Sequence, residues 1–454
     1  MTSTIRRPSL SEGGFREYVL LFSPILLMNF SSCLYLFIEK LLLARLSMEA
    51  MEAAVNAAYA CQLIQGPCVV LTMMTQVCVG RWFGGREWKA IGPGVWQFIW
   101  FSMFSMLITI PFGVIYGTYY FKGTAIEEIV MPYYTFLVCI NFLYPLGSTL
   151  SCFYIGQGKT RLVVLATIGA QLVKLCLAYL LIFGWNDWIP SLGLMGGAIS
   201  TLIAQGTFCS LLLWVFLKPK HAEIFQSWSW HFRPQLFWEC IQPGFLRACS
   251  RMLIVASWAS IAHLMTAKGG DYLLVLSIGG TLFIFLPFLG DAICQAQTTV
   301  VSQILGARNY HLMDKAFRSG SLLVILTIAI CSIPLLLFPN ATFSYLFPNV
   351  VMDPAMVKTA FLGVWFSFAF FTFGYVPISY ILAFKDMKFS FFMGFVNWVN
   401  GYLLMYCAIE IVNIAADQFW LALSLMHGST TLIYYCRMKW LQSNKLSVSL
   451  YPNN

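Results

Sequence analysis

Six ionisable side chains stand inside long apolar runs of this chain: Glu39, Lys40, Lys174, Arg247, Arg251 and Asp291. A charge at the centre of a bilayer costs ~3 kcal/mol even on lenient insertion scales, so each needs a partner, a proton or a wet surface. A carboxylate held there can take up a proton or a cation. A lysine or arginine can neutralise it or hold an anion. Glu39 and Lys40 are adjacent, so their side chains leave a helix ~100° apart and make a poor mutual pair. Lys40 lies about 7–8 Å along a helix from Arg45, a distance a lysine stem covers by snorkelling. Lys40 therefore reads as an interface anchor, and Glu39 remains to be explained.

Depth supplies a partner. Glu39 sits roughly 9 Å from the outer end of the first apolar span, and Lys174 roughly 15 Å from the same-side end of the fifth. Two flexible side chains can bridge that difference. The resulting expectation is a proton-responsive, cation-coupling pair, Glu39 with Lys174. With Glu39 ionised the pair is neutral; protonation leaves the Lys174 ammonium unbalanced. A lysine at that place repels sodium, which favours a proton. The plainer alternative is an ion pair that only ties two helices together.

The other candidates lie further along the chain. Asp291, in the eighth span, is a second intramembrane carboxylate, suited to a coupling role or to a structural one. Arg247 and Arg251 are four apart and share a helix face. Arg247 is near a span end and snorkels; Arg251, deeper, suits a cavity wall and an anionic group. Asn397 and Asn400, three apart in the eleventh span, suit interhelical hydrogen bonds or a cavity lining. His263 and His427 read as interfacial. Pro24, Pro132, Pro287 and Pro377 mark possible kinks.

Composition dictates what must position these groups. Of 454 residues, 59% are hydrophobic and only 10% charged, against about 25% charged in soluble domains. Apolar stretches of about 20 residues recur along the length, each enough to cross ~30 Å of hydrocarbon. The expected fold class is an all-α polytopic membrane protein with twelve transmembrane helices, near 18–44, 52–79, 92–118, 130–155, 162–184, 191–217, 241–265, 272–303, 319–339, 357–384, 389–412 and 417–436. The short alternating segments of a membrane β-barrel are not seen. Nor does a cleavage site follow the first span, which reads as retained. Most of the fourteen cysteines fall in apolar runs without metal-ligand or disulfide spacing, so free thiols are expected.

Nineteen basic residues fall at the termini and in the loops on one side, against four in the opposite loops. By the positive-inside rule both termini are cytoplasmic, in an integral, multi-pass plasma-membrane protein. The net charge of +9 is then topological, and no nucleic-acid partner is implied. The halves also repeat. VGRWFGGR (79–86) and VSQILGAR (301–308) each read Val, four residues, Gly, a small residue, Arg. Two six-helix bundles related by a pseudo-two-fold along the membrane normal are expected, a plan common in transporters. The division predicted is 1–217, a cytoplasmic linker 218–240, and 241–454. GKT at 158–160 resembles the end of a P-loop, but Phe153 stands where that pattern needs glycine and no strand precedes it. Neither an enzyme nor an ATP-driven pump is indicated.

FIEKLLLARLSMEAMEAA (37–54) resembles the first-helix signature of the multidrug and toxic-compound extrusion (MATE) family. IGQGKTR (155–161), LLIFG (180–184) and SLGLMGGAISTLIAQ (191–205) resemble its fourth-to-fifth loop, fifth-helix end and sixth-helix start. GRWFGGREWK (80–89) half fits the loop of major-facilitator transporters, lacking that loop's aspartate. The MATE resemblance runs along nearly the whole chain. It implies a monomeric secondary antiporter in the lipid bilayer, exporting small amphipathic, often cationic compounds by alternating access. A proton or sodium gradient would drive it, with no other cofactor. An exporter or flippase of an anionic lipid-linked or polysaccharide intermediate is the alternative on the same fold.

The resemblance also places residues. The family's first-helix aspartate falls on Glu39, and the asparagine and aspartate of its fifth helix on Lys174 and Ala178. A sixth-helix threonine falls on Thr201. Acidic positions of its seventh and tenth helices fall near Ile254 and Thr372. Thr201 and Thr372, placed by the resemblance, join Arg251, Asp291, Asn397 and Asn400, read from the residues themselves, as the candidate cavity residues, beside Glu39 and Lys174.

Overall fold

Each of the twelve predicted spans finds a helix in the computed structural model, which describes residues 12–185, 188, 190–348, 350 and 352–450. The helices are α1 Phe15–Leu46, α2 Met48–Thr72, α3 Met74–Gly84, α4 Trp88–Phe121, α5 Glu127–Cys139, α6 Leu143–Gly156, α7 Thr160–Phe183 and α8 Gly193–Phe216. They continue as α9 Pro219–Phe225, α10 Pro234–Lys268, α11 Gly270–Gly306, α12 Met313–Ser332, α13 Pro339–Leu346, α14 Pro354–Phe384, α15 Met387–Tyr406 and α16 Phe419–Leu450. In a bilayer only an internally hydrogen-bonded backbone is affordable, and a helix supplies it segment by segment.

Among the described residues, ten helical stretches are long and apolar enough to cross a membrane, with α2 and α3 counted as one. The fourth predicted span differs from the expected single rod. It is the pair α5 and α6, bent by 41°, and the buried Asn141 sits at the break with its Oδ1 unpartnered. Counting that pair gives an eleventh span. The twelfth, α16, has 32 residues, but Ser424, His427, Ser429, Thr430 and Thr431 dilute its apolarity. Arg6 and Arg7, counted with the basic side in the sequence, lie outside the described residues.

The described chain separates into two compact units. One runs from Ser23 to Ala248; the other joins the residues up to Phe22 with those from Cys249 onward. The division thus passes through α1 and α10, whereas the sequence reading placed it at the connection 218–240.

Two local features of the first unit set up its site. Ser47 adopts extended backbone between α1 and α2, and its hydroxyl accepts from the Ala50 amide at 2.9 Å. That N-cap satisfies one orphan donor of α2 and forces a tight turn after Arg45. At the far end of α7 the chain turns sharply into α8, and the Leu192 amide returns to the Leu181 carbonyl at 2.9 Å. A Cβ on Gly196 would lie 2.5 Å from the Leu181 backbone, so only glycine lets α8 approach α7 this closely. The core here joins Leu42 and Leu43 of α1, an alanine face of α2 (Ala53, Ala57, Ala60), Tyr133 and Tyr134 of α5, and Ala178 and Ile182 of α7.

The connection 217–233 is not a free tether. The indole N–H groups of Trp96 and Trp100 donate to the carbonyls of Ser227 and Trp230 at 2.7 and 2.8 Å. Buried Gln97 donates to the His231 carbonyl at 3.2 Å and accepts from the Arg233 amide at 3.1 Å. Three residues of α4, spread over about one turn, therefore grip the connection at four places. His221 of α9 lies beside Lys159, and burial together with that ammonium pulls its pKa below the ordinary 6.5.

Candidate functional site

Tyr35, Glu39, Leu42 and Leu43 form one face of α1, and on α7 the residues at helical spacing from Lys174 are Ala178 and Ile182. Leu42, Leu43, Ala178 and Ile182 are buried in the shared core. That packing brings the polar members of the two faces together. The Lys174 ammonium stands 3.1 Å from Oε1 and 3.2 Å from Oε2 of Glu39. Both side chains are only 14% exposed. The same ammonium lies over the ring of buried Tyr35, 4.4 Å from its centroid, a cation–π contact that a poorly hydrated site strengthens. Nearby, Gln171 donates to the Ser32 hydroxyl at 2.8 Å, a second polar tie between α1 and α7.

The carboxylate has further company. Glu39 interacts electrostatically with the phenols of Tyr35, of Tyr133 on α5 and of Tyr144 on α6. Sequence reasoning missed all three tyrosines. Tyr35 alone carried a signal, being four residues before Glu39 and so on its face. Lys40 is exposed, as an interface anchor should be, and so is Arg45.

Thr201 is buried on α8, and its hydroxyl donates to the Gly197 carbonyl at 2.9 Å. Arg247, in the same unit, donates from Nη1 to the Met74 sulfur at 3.9 Å and acts electrostatically on the buried Cys152 thiol.

The remaining candidates lie in the second unit. Asp291 of α11 hydrogen-bonds the phenol of buried Tyr375 on α14, and Arg251 of α10 lies within electrostatic reach of that phenol. Gly290 makes this possible: a Cβ there would stand 2.4 Å from Tyr375 Cε2. Arg251 keeps an exposed side chain. Thr372, one turn before Tyr375, is fully buried with its hydroxyl unpartnered. Asn397 hydrogen-bonds Tyr434 of α16 and leaves Oδ1 without a partner. Asn400 donates to the Ser429 hydroxyl at 3.5 Å. The two asparagines thus face α16, and Asp291 and Arg251 gather around Tyr375.

His427 is the clear departure from the sequence reading. It is not interfacial but 4% exposed, since it sits at the middle of the span drawn for it, packed against the rings of Trp258, Phe283 and Phe371. Its ring stacks on Phe283 at 5.7 Å and 13°.

With this geometry in view, three kinds of likeness to known proteins bear on the chain. The MatE family model matches residues 24–180, the stretch that contains both Glu39 and Lys174. A probable multidrug resistance protein NorM of Bacillus licheniformis is 22% identical over 306 residues, covering 65% of this chain and 66% of that protein, just under two thirds. Among solved structures, an outward-facing multidrug resistance MATE transporter of the MOP superfamily superposes with a TM-score of 0.84 at 14% identity, covering 98% of this chain and 99% of that one. A MATE structure in a bent conformation gives 0.85 at 13% identity, over 96% and 97%. A MOP superfamily transporter of Pyrococcus furiosus, described as having a binding pocket of reversed polarity that suggests a different function, gives 0.83 at 14% identity, over 98% and 99%. These structural likenesses establish a shared helical fold over almost the entire chain.

Proposed function

We propose that the chain, which the MatE family model matches over residues 24–180, is a multidrug and toxic-compound extrusion transporter, a proton-driven antiporter of small amphipathic cations. It exports them from the cytoplasm across the plasma membrane by alternating access, with both termini on the cytoplasmic side.

The observation that carries this reading is the 3.1 Å contact between Glu39 and Lys174. A carboxylate with an ammonium on both oxygens has its cation already in place, which leaves sodium little to bind. Protonating Glu39 removes the attraction and leaves Lys174 as a lone charge among tyrosines. Breaking a buried pair on one side costs about 3–5 kcal/mol, enough to shift a two-state equilibrium by roughly two to four decades. The helices α1 and α7, joined by this pair, are the elements such a shift would move. The test is dye flux in proteoliposomes under an imposed pH or sodium gradient. A pH gradient should drive wild type; flux driven by sodium alone overturns the reading.

The exposed Arg251 favours a second reading, in which the cargo carries an anionic group. The Pyrococcus furiosus transporter, described as having a binding pocket of reversed polarity, shares this fold. Competition of dye flux by an anionic lipid-like amphiphile distinguishes the two.

A further inference from the structure

His427 is a polar side chain, nearly fully buried, whose Nδ1 has no hydrogen-bond partner. Its imidazole is hydrogen-bonded to the backbone of Ser367, which accounts for the other ring nitrogen. In the neutral tautomer with the proton on Nε2, Nδ1 offers a lone pair and nothing else. An unsatisfied buried acceptor is costly, by about 1–3 kcal/mol, and a retained one calls for a donor.

What surrounds it is aromatic. Phe283 of α11 lies parallel to the imidazole, Phe371 of α14 is 5.3 Å away and Trp258 of α10 is 6.4 Å away, centroid to centroid. Trp420, about two helical turns before His427, stacks on Phe283 at 5.3 Å and 30°. Four helices thus contribute rings to one group. Trp258, Phe283 and Phe371 are only half-buried, while Trp420 and His427 are buried.

We propose that this group in the second unit is a substrate subsite for a flat aromatic cation that carries an N–H or O–H donor, the donor bonding to His427 Nδ1. The inference rests on the reading of the chain as an exporter of amphipathic cations and adds the part of the cargo that it recognises. The half-exposed rings supply stacking and cation–π attraction, which any planar cation satisfies. Nδ1 supplies discrimination, because a cargo that covers it without a donor leaves the acceptor stranded. In this conformation the rings close over Nδ1, so a half-exposed one must turn aside as the donor arrives.

Two permanent cations with the same planar tricycle test this. The 3,6-diamino-10-methylacridinium ion has amino N–H donors; its 3,6-bis(dimethylamino) counterpart has none and is the more apolar. Binding to the purified full-length protein in nanodiscs, read by dye fluorescence, should favour the donor-bearing ion by about 10-fold. His427→Phe should reduce that preference to less than about 2-fold, and Trp258→Leu should weaken both ions together by about 5-fold. Equal binding by wild type overturns the proposal, as does a preference that survives His427→Phe or binding unchanged by Trp258→Leu. Flux in proteoliposomes separates this failure from that of the parent reading. If wild type moves both ions without preference, only the subsite falls; if it neither binds nor moves either, cation export falls with it.

Discussion

The Lys174 ammonium is clamped between the Glu39 carboxylate, at 3.1 Å, and the Tyr35 ring, at 4.4 Å from its centroid. The lysine therefore has two stabilising partners on α1, and the glutamate has one counter-charge. Their losses are not equivalent. Removing Glu39 leaves Lys174 its ring; removing Lys174 leaves a carboxylate among phenols.

Glu39→Gln should lower flux driven by a pH gradient at least about 10-fold in proteoliposomes. Lys174→Met should do the same and, with the carboxylate now unpaired, should introduce a response to a sodium gradient that wild type lacks. Lys174→Met should lose about 3 kcal/mol of stability in the purified protein, and Glu39→Gln less, since the ammonium keeps the Tyr35 ring. The double variant should regain most of it, because the cost lies in the stranded partner. Thermal unfolding of the four proteins as a double-mutant cycle checks this.

Gly290→Ala should destabilise the second unit by about 1–3 kcal/mol, since the added methyl meets the Tyr375 ring at 2.4 Å and overpacking has that magnitude. In a Tyr375→Ala background the same change should be nearly neutral. Melting temperatures of the two singles and the double read the coupling directly.

Gln97→Leu should loosen the connection 217–233 from α4, where Gln97 holds the His231 carbonyl and the Arg233 amide. The expected result is faster cleavage between 226 and 233 in limited proteolysis, with a stability loss of about 1–3 kcal/mol. Trp100→Phe, which removes only the N–H to Trp230, should give a smaller effect in the same direction.

His221 gives the connection a pH dependence. Its folded pKa is below the ordinary 6.5, through burial and the Lys159 ammonium. The unfolded chain thus binds the proton more readily, and its contribution to stability is intact above pH 6.5 and declines as pH falls below it. Melting temperature measured between about pH 5 and 8 should slope downward on the acid side, and His221→Gln should flatten that slope. Lys159→Met should also flatten it, by removing the charge that depresses the histidine.

The sequence made the helices legible because a bilayer imposes one length and one composition on every span. It made Glu39 and Lys174 legible for the same reason, charge being rare in the apolar runs. The tyrosines around Glu39 were not legible. A tyrosine in an apolar helix is unremarkable, and only packing between helices shows which rings meet a carboxylate. His427 was misread because its burial comes from rings on three other helices, Trp258, Phe283 and Phe371, which no pattern within its own span reveals. The bend between α5 and α6 escaped notice because Asn141 is one polar residue in a stretch whose average stays apolar.

Gly290 and Asp291 make a dipeptide that can be looked for. The aspartate has its phenol partner only because the residue before it lacks a side chain, so the two positions constrain each other and both constrain Tyr375. A related chain that replaces the glycine must also shrink the tyrosine or lose the pair. Glycine, aspartate and tyrosine should therefore be inherited as a set. Where the set breaks, the lineage has given up this arrangement of its second unit.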